Sequence, residues 1–299
     1  MGSLLRTIHT RPRQVTCIAT SRQRIIAACE DIIHIYDAVT GVLRQSLRSL
    51  EMVTKIKLSP DGSTLFFAHS FSVTMWDVQT GGHIHTFISR SEINDIAVSA
   101  VRIACGLSDG SPVFWRICTE EEGDFGLGND QPVVAVYWLE YDVLMVATQN
   151  TLCVRNIYAR DNKHILPIPG RVWGVVYWRD REEFLVGVSR QTPGTRQEEC
   201  FFVTVGYEVT YKRGRPQRGL FSILRQSPTE VGGLASPVFA GGEIACITPG
   251  GGVLLFDTRS FSWTNRPPLL GAALSVVVPL KEISWRRPKI LSKFSPPTS

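Results

Sequence analysis

At 299 residues, with 43% hydrophobic and 20% charged residues, the chain has the composition of a globular protein with a sizeable core, which excludes a disordered polymer. The net charge of +5 is modest, and five cations in one acid-free stretch (Lys212, Arg213, Arg215, Arg218, Arg225) account for it. A helical membrane span needs ~18 apolar residues in a row, and the longest candidate, from Leu269 to Leu280, is broken by Gly271 and Pro279.

The first residues, MGSLLRT, lack the apolar core of a secretory signal, and Arg6 stands where a myristoylation pattern needs Ser or Thr. Seven cysteines are scattered singly, with no C-x-x-C pair, as suits a reducing compartment. The expectation is a cytoplasmic protein without a membrane anchor.

In chain order, residues 4–8 form an isolated strand-like run, and paired elements follow. VTCIATSRQRIIAAC (from Val15) reads as two strands and a turn, and IIHIYDAVTGVLRQSL (from Ile32) as two more. The pattern returns in VTKIKLSPDGSTLFFAHS (from Val53), where alternating apolar residues enter and leave a Pro-Asp-Gly turn, followed by FSVTMWDVQTGGHIHTF (from Phe71). It returns again in INDIAVSAVRIACG (from Ile93) with DGSPVFWRI (from Asp109), and in VVAVYWLEYDVLMVAT (from Val133) with NTLCVRNIYARDNKHIL (from Asn150). VWGVVYWRDREEFLVGV (from Val172) leads through a polar insertion at 189–199 into a looser stretch at 201–211. VFAGGEIACI (from Val238) and GGVLLFDTRSFSW (from Gly251) restore the phrase.

The pairs Tyr36-Asp37, Trp76-Asp77, Trp115-Arg116 and Arg155-Asn156 recur at intervals of 40, 39 and 40 residues, and Phe256-Asp257 falls 101 residues further on, room for two longer repeats. Each unit is four short strands. On these residues the chain, over 4–268, resembles the WD-repeat (WD40) family, whose four-stranded unit ends in Trp-Asp and assembles radially as a propeller blade. The repeat wording is most similar to the repeat arrays of fungal NACHT-type receptors, without their nucleotide-binding module. The family's Asp-His-Ser-Trp hydrogen-bond network is incomplete here, since the Trp slot holds Tyr36, Trp76, Trp115, Arg155 and Phe256 in turn. Pro112 removes a ladder donor from the third strand of the third unit and suggests a bulge there.

The resemblance implies an all-β propeller of six recognisable blades. An imperfect seventh is expected to be closed by residues 4–8 together with strands at 273–279, 281–285 and 289–294, in one domain over 1–294 with a disordered tail at 295–299.

Candidate chemistry is sparse. GLSDG, from Gly106, matches the G-x-S-x-G nucleophile elbow, but that motif needs a helix after the turn and a strand follows Ser108 here. His83 and His85 share a strand face without the third ligand of a metal site, and Cys29, Cys105 and Cys246 recur as small core residues. No phosphate-binding G-x-x-x-x-G-K-[ST] loop is present. No cofactor is called for, and the chain is expected to be non-catalytic; a propeller-fold hydrolase is the remotest alternative.

Lys212-Arg213-Gly214-Arg215-Pro216, with Arg218 nearby, resembles an AT-hook core, so a nucleic-acid-associated propeller is the main alternative. Trp138 and Tyr177 occupy the first-strand slot of Leu58 and Val98 and are expected in the core, while Trp178 falls at a turn beside Arg179. The resemblance places partner binding on the loops between strands two and three and between blades. That face gathers Arg11, Arg13, Asp31, Arg48, Phe71, Arg90, Asp109, Asn150 and Arg171, and Trp178 is counted separately as an aromatic partner-binding residue at its own turn. The expectation is a monomeric scaffold for other proteins.

Overall fold

The computed structural model describes residues 15–263 except 22, 127–129, 141, 159–162, 179–180, 182, 192–197, 213–214, 228–229, 232–234, 241–242, 248–252 and 258. Every regular element among them is a strand, and the strands form six antiparallel sheets in which spatial order follows chain order.

Blade one holds β1 (Cys17–Thr20), β2 (Arg24–Cys29), β3 (Ile32–Asp37) and β4 (Leu43–Arg48). Blade two holds β5 (Lys55–Leu58), β6 (Thr64–His69), β7 (Ser72–Asp77) and β8 (His83–Ile88). Blade three holds β9 (Ile93–Val98), β10 (Arg102–Leu107), β11 (Pro112–Arg116) and β12 (Glu122–Asp124). Blade four holds β13 (Val133–Glu140), β14 (Val143–Thr148), β15 (Thr151–Asn156) and β16 (Lys163–Pro167). Blade five holds β17 (Arg171–Trp178), β18 (Glu183–Gln191), β19 (Glu198–Lys212) and β20 (Arg215–Gln226), with β21 (Glu230–Val231) also paired to β19. Blade six holds β22 (Ala235–Ala240), β23 (Glu243–Ile247), β24 (Val253–Asp257) and β25 (Ser262–Trp263).

The first strands pack in succession, β1 on β5, β5 on β9, β9 on β13, β13 on β17 and β17 on β22, as the inner strands of a propeller do. Each of the sheets of blades two to five is therefore covered on both faces by its neighbours. This explains why second strands are apolar throughout while fourth strands such as β4 and β8 alternate with exposed polar residues. On β6, Leu65 and Phe67 pack with Ile26, Ile33 and Ile35 of blade one, whereas Phe66 and Ala68 pack with Ile96, Ile103 and Cys105 of blade three. One period-two strand thus serves two cores.

The recurring pair has two separate jobs. Its first member is an apolar plug: Trp76 stands edge-on to Phe67 at 5.5 Å, and Phe87 lies 5.6 Å from Trp115. Its second member closes the turn to the fourth strand. Asp37 Oδ1 accepts the Val39 and Thr40 N–H groups, Asp77 Oδ1 those of Gln79 and Thr80, Asn156 that of Tyr158 and Asp257 that of Arg259. These turns, stabilised by the ionised side chain, hold the Asp37, Asp77 and Asp257 carboxyls below the usual carboxylate range, the leading cause being the N–H of Thr40, Thr80 and Arg259 respectively. Blade three has Arg116 in this place, and its turn instead carries Glu120 at φ 57° and an Arg116–Glu121 ion pair of 3.2 Å.

Polar bonds also cross between blades. Thr16 donates to the Val53 carbonyl at 2.9 Å, Asp95 accepts the Val136 N–H at 3.0 Å, the Trp138 indole donates to Ala97 at 3.3 Å, and the Tyr137 hydroxyl donates to Val175 at 2.7 Å.

Three details differ from the sequence reading. Pro112 begins β11 and pairs in register with Gly106; the irregularity lies one strand over, between Gly106 and Leu107 where β10 meets β9. The insertion at 189–199 is strand at both ends, since Ser189, Arg190 and Gln191 pair with Cys200, Glu199 and Glu198 and lengthen the β18–β19 hairpin. Tyr177, expected in the core, is 38% exposed and leans on Phe184. The expected closing strands at 4–8, 273–279, 281–285 and 289–294, and the tail at 295–299, lie outside the described residues.

Candidate functional site

The turn between the second and third strands of a blade and the connection to the next blade are tied together by the backbone. The Ser49 and Val53 N–H groups donate to the carbonyls of Asp31 and Glu30, Ser89 and Ile93 to Phe71 and Ser70, and Ile168 and Val172 to Asn150 and Gln149. The same clamp in three blades sets the two kinds of loop side by side on one rim of the propeller. Glu30 and Ser70 adopt left-handed backbone (φ 58° and 41°) to make the tight turn, a strain stored where the loops meet.

Most of the residues singled out in the sequence come together on this rim. Arg48 Nε lies 3.1 Å from Asp31 Oδ2, and Arg90 lies 3.5 Å from Asp124 and 3.9 Å from Asp109 while donating to Ser111 at 3.3 Å. Phe71 is 54% exposed, and Asn150 and Arg171 are exposed in blade four's turn and the connection after it. Arg11 and Arg13 lie outside the described residues.

Trp178 does not join them. It is the last residue of β17, paired with Glu183, and so belongs to the turns at the opposite rim. The cause is the direction of the strand: a first strand starts at the rim of the inter-blade connections and ends at the other.

The sequence gives little notice of two apolar neighbours of Phe71. Leu50 is 98% exposed and Met52 56%, on the connection between blades one and two. They flank Glu51, whose carboxylate lies 3.5 Å from His69 Nδ1 and accepts from Ser70, the two residues that precede Phe71. That bond to Ser70, followed by the pull of His69, holds the Glu51 carboxyl below the usual range. His69 in turn bonds Thr74 Oγ1 at 3.1 Å and Ser72 Oγ at 3.2 Å. Loop residues of this kind follow no periodicity, so only their exposure in the fold marks them.

The opposite rim carries a second cluster. Arg102, nearly buried, pairs with Asp142 at 2.8 Å, donates to the Tyr158 hydroxyl at 2.7 Å and lies over Trp138 at 5.9 Å, while Arg116 also donates to Tyr158 at 2.5 Å. It fastens blade three to blade four.

The other candidates take the following places. Ser108 sits in the strand–turn–strand between β10 and β11, its hydroxyl 2.9 Å from Ser91 Oγ, with Asp109 and left-handed Gly110 (φ 83°) shaping the turn. His83 bonds Thr86 and His85 pairs with Glu120 at 3.1 Å, on an outer strand. Cys29 and Cys105 are fully buried. Lys212 and Arg215 face each other across the tip of the β19–β20 hairpin, and Arg218 pairs with Thr210. Arg213 and Gly214 lie outside the described residues.

No family model matches the sequence, and no curated protein matches it. Solved structures do. The β-propeller domain of Cps50 (Swd1) from Myceliophteria thermophila is similar with a TM-score of 0.68 at 17% identity, covering 88% of this chain and 88% of that one. The WD40 repeats of RRP9 give 0.65 at 16% identity, over 89% of this chain and 84% of that one. U3-55K gives 0.64 at 16% identity, over 88% and 84%. The fold is that of a WD40 β-propeller. These relatives lend no support to the finer likeness with fungal NACHT-type receptor arrays.

Proposed function

We propose that the chain is a non-catalytic, monomeric interaction platform that holds other proteins on the rim formed by the second-to-third-strand turns and the inter-blade connections. The observation that carries this reading is the exposure of Leu50 and Met52 on a connection that Glu51 ties to the turn of the exposed Phe71, on a rim whose loops are fixed by backbone clamps. Apolar anchors ringed by arginines and acids, here Arg48 with Asp31 and Arg90 with Asp109, have the composition of a binding hot spot. Asn150 and Arg171 extend the polar ring into blade four. A further similar structure belongs to the mitotic checkpoint complex, so that protein works within an assembly (TM-score 0.62, 14% identity, 86% of this chain and 80% of that one).

Binding rather than catalysis is supported by the strand–turn–strand setting of Ser108 and by His83 and His85 each being engaged locally. A cytoplasmic setting is supported by the seven cysteines being scattered singly along the sequence with no C-x-x-C pair.

The test is quantitative affinity capture with three purified proteins: the natural chain, Leu50→Ser with Phe71→Ser, and Val39→Ser with Val42→Ser on the opposite rim. The expected result is a set of proteins held by the first and third and lost by the second. The same set on all three would overturn the assignment of this rim.

A further inference from the structure

Blade five departs from its neighbours at the far end of its third strand. The slot opposite the start of the second strand holds Asp37, Asp77, Arg116, Asn156 and Asp257 in the other blades, and here it holds Gly206, paired with Glu183. No turn closes at that point. The chain stays in β19, and pairing with β20 alone continues from Tyr207 with Phe221, through Thr210 with Arg218, to Lys212 with Arg215. At ~3.4 Å per residue, Tyr207 to Lys212 carry this two-stranded ribbon about 20 Å past the place where the other blades turn back.

Strand register sorts the ribbon's residues between two faces. In β19 the odd positions Phe201, Val203 and Val205 pack with Leu152 and Val154 of blade four, while Phe202, an even position, stands 4.7 Å from Phe256 of blade six. Alternation carries this sorting past Gly206. Tyr207, Val209 and Tyr211, with their partners Phe221, Gly219 and Pro216, fall on the face toward blade four, and β20 lies against β15 and β16 of that blade. Thr210 and Lys212, with their partners Arg218 and Arg215, fall on the other face. The register shift between Thr210 and Tyr211 is what keeps Arg215 and Arg218 on one side. Arg225, paired with Thr204, shares that face and lies over Phe261 of blade six at 3.9 Å.

Over residues 207–226 Glu208 is the one acid against five cations, four of them Arg. The elements around the ribbon do not cancel this charge. Blade six holds Arg259 and Asp257, whose carboxylate accepts the Arg259 N–H, the entry to β18 holds Arg181 and Glu183, and β15 and β16 bring Arg155, Lys163 and His164. Arg160, Asp161, Arg179, Asp180, Glu182 and Arg213 lie outside the described residues and form no part of the placement. Strand pairing spaces the cationic positions regularly, about 5 Å across the ribbon and about 7 Å along it. Arginine's planar fork is suited to gripping phosphate oxygens in pairs.

We propose that this ribbon is a second binding site, which holds the phosphodiester backbone of a nucleic acid on the face of Lys212, Arg215 and Arg218. It is separate from the rim of Leu50 and Phe71 and does not rest on the platform reading. Contacts to phosphate hold a strand without reading its bases, so binding is indifferent to sequence and steeply dependent on salt.

The experiment is fluorescence anisotropy with the full 299-residue chain and two labelled duplexes of about 20 base pairs, one DNA and one RNA of the same sequence. At least one duplex is expected to bind, with log Kd rising linearly with log salt between about 50 and about 200 mM. Arg215→Ala with Arg218→Ala should weaken binding by about tenfold or more and lower the slope by about 2. Arg215→Lys with Arg218→Lys keeps the charge and should keep the slope. Arg44→Ala with Lys57→Ala removes the same charge from blades one and two and should change the affinity by less than about twofold. Circular dichroism and melting confirm that each variant is folded.

A preference for one duplex would support the site and identify the source of the phosphates. Failure of both duplexes, or a loss shared equally by the Arg44 and Lys57 variant, would overturn the proposal. Equal competition by polyglutamate of the same total charge would reduce the effect to bulk charge and overturn it as well. Binding to phosphatidylserine vesicles with neither duplex bound would assign the ribbon to a membrane surface instead. Capture through Leu50 and Phe71 reads the platform separately, so none of these outcomes alters that reading.

Discussion

The Glu51 carboxylate reaches across the connection between blades one and two to within 3.5 Å of His69 Nδ1, and so ties the loop that presents Leu50 and Met52 to the turn that presents Phe71. Since the carboxylate is exposed, this tie orders a surface rather than holding the fold. Glu51→Ala is expected to leave the melting temperature nearly unchanged while amide hydrogen exchange speeds up in residues 49–53 and 70–71. Unchanged exchange there would mean that the backbone clamp alone orders the rim.

A second expectation concerns acid. The Asp37, Asp61, Asp77 and Asp257 carboxyls all sit below their ordinary range, with first causes in Thr40 N–H, Ser59 hydroxyl, Thr80 N–H and Arg259 N–H. A depressed folded pKa means stability that is fully present above the unfolded value, about 3.9 for Asp, and lost as pH falls through the folded value. The melting temperature should hold from neutrality to about pH 5 and drop below about pH 4. Asp37→Asn with Asp77→Asn keeps an acceptor oxygen but no charge. Its melting curve should lie under the natural protein's at neutral pH and converge with it in acid; parallel curves would deny the turns this role.

Much of the fold was legible because a propeller blade is buried on both faces. Second strands such as VLMVAT, from Val143, then read as unbroken apolar runs, and the turn-closing Asp or Asn returns at a fixed interval. The rim was legible in part. Asp31, Phe71 and Asp109 occupy equivalent turns, so register alone finds them, whereas Leu50 and Met52 sit on a connection whose side chains obey no period. For Trp178, composition marks a hot-spot residue without saying at which rim it lies, and strand register is what puts it at the far end of β17. The Arg102 cluster joins positions 102, 142 and 158, which no local pattern relates.

Trp76 illustrates what the incomplete network costs. Its indole N–H is buried and has no hydrogen-bond partner among the described residues, so the ring contributes packing against Phe67 and nothing polar. Trp76→Phe should change stability by about 1 kcal/mol or less, the small loss of volume being offset by removal of an unsatisfied donor. Phe67→Ala, in the same core and 1% exposed, should cost roughly 3–5 kcal/mol. Urea unfolding of both variants distinguishes them, and a large loss in Trp76→Phe would reveal a hidden acceptor.

Gly106 marks where blade three comes closest to blade four. A Cβ there would stand 2.3 Å from Val133 Cγ1 and 2.9 Å from Val133 Cβ, beside the register shift between Gly106 and Leu107. The inner strand β13 cannot yield without disturbing the bond from Val136 N–H to Asp95. Gly106→Ala should therefore destabilise by about 1–3 kcal/mol. Gly106→Ala combined with Val133→Ala should recover part of that loss, and failure to recover would locate the strain elsewhere.

Arg102 provides the sharpest test of how the blades are joined. Its guanidinium is nearly buried, and it meets Asp142 at 2.8 Å, the Tyr158 hydroxyl at 2.7 Å and the faces of Trp138 and Tyr158 at 5.9 and 5.4 Å. Asp142 is one-third exposed, so water softens the pair but does not replace it. Removing the cation alone leaves a carboxylate without its counter-charge and uncovers the Trp138 ring. Breaking a buried pair from one side costs 3–5 kcal/mol in general, and the partial exposure of Asp142 puts Arg102→Ala near the lower end, about 3 kcal/mol. Lys lacks the planar guanidinium that lies over the Trp138 and Tyr158 rings while one of its nitrogens meets both Asp142 and the Tyr158 hydroxyl, so Arg102→Lys should lose most of the same amount. Arg102→Met with Asp142→Leu removes both charges and refills the seam, and should be clearly more stable than Arg102→Ala. A double-mutant cycle over Arg102 and Asp142, read by urea unfolding, measures the coupling directly. Additive effects would show that the two side chains stand close without holding the blades together.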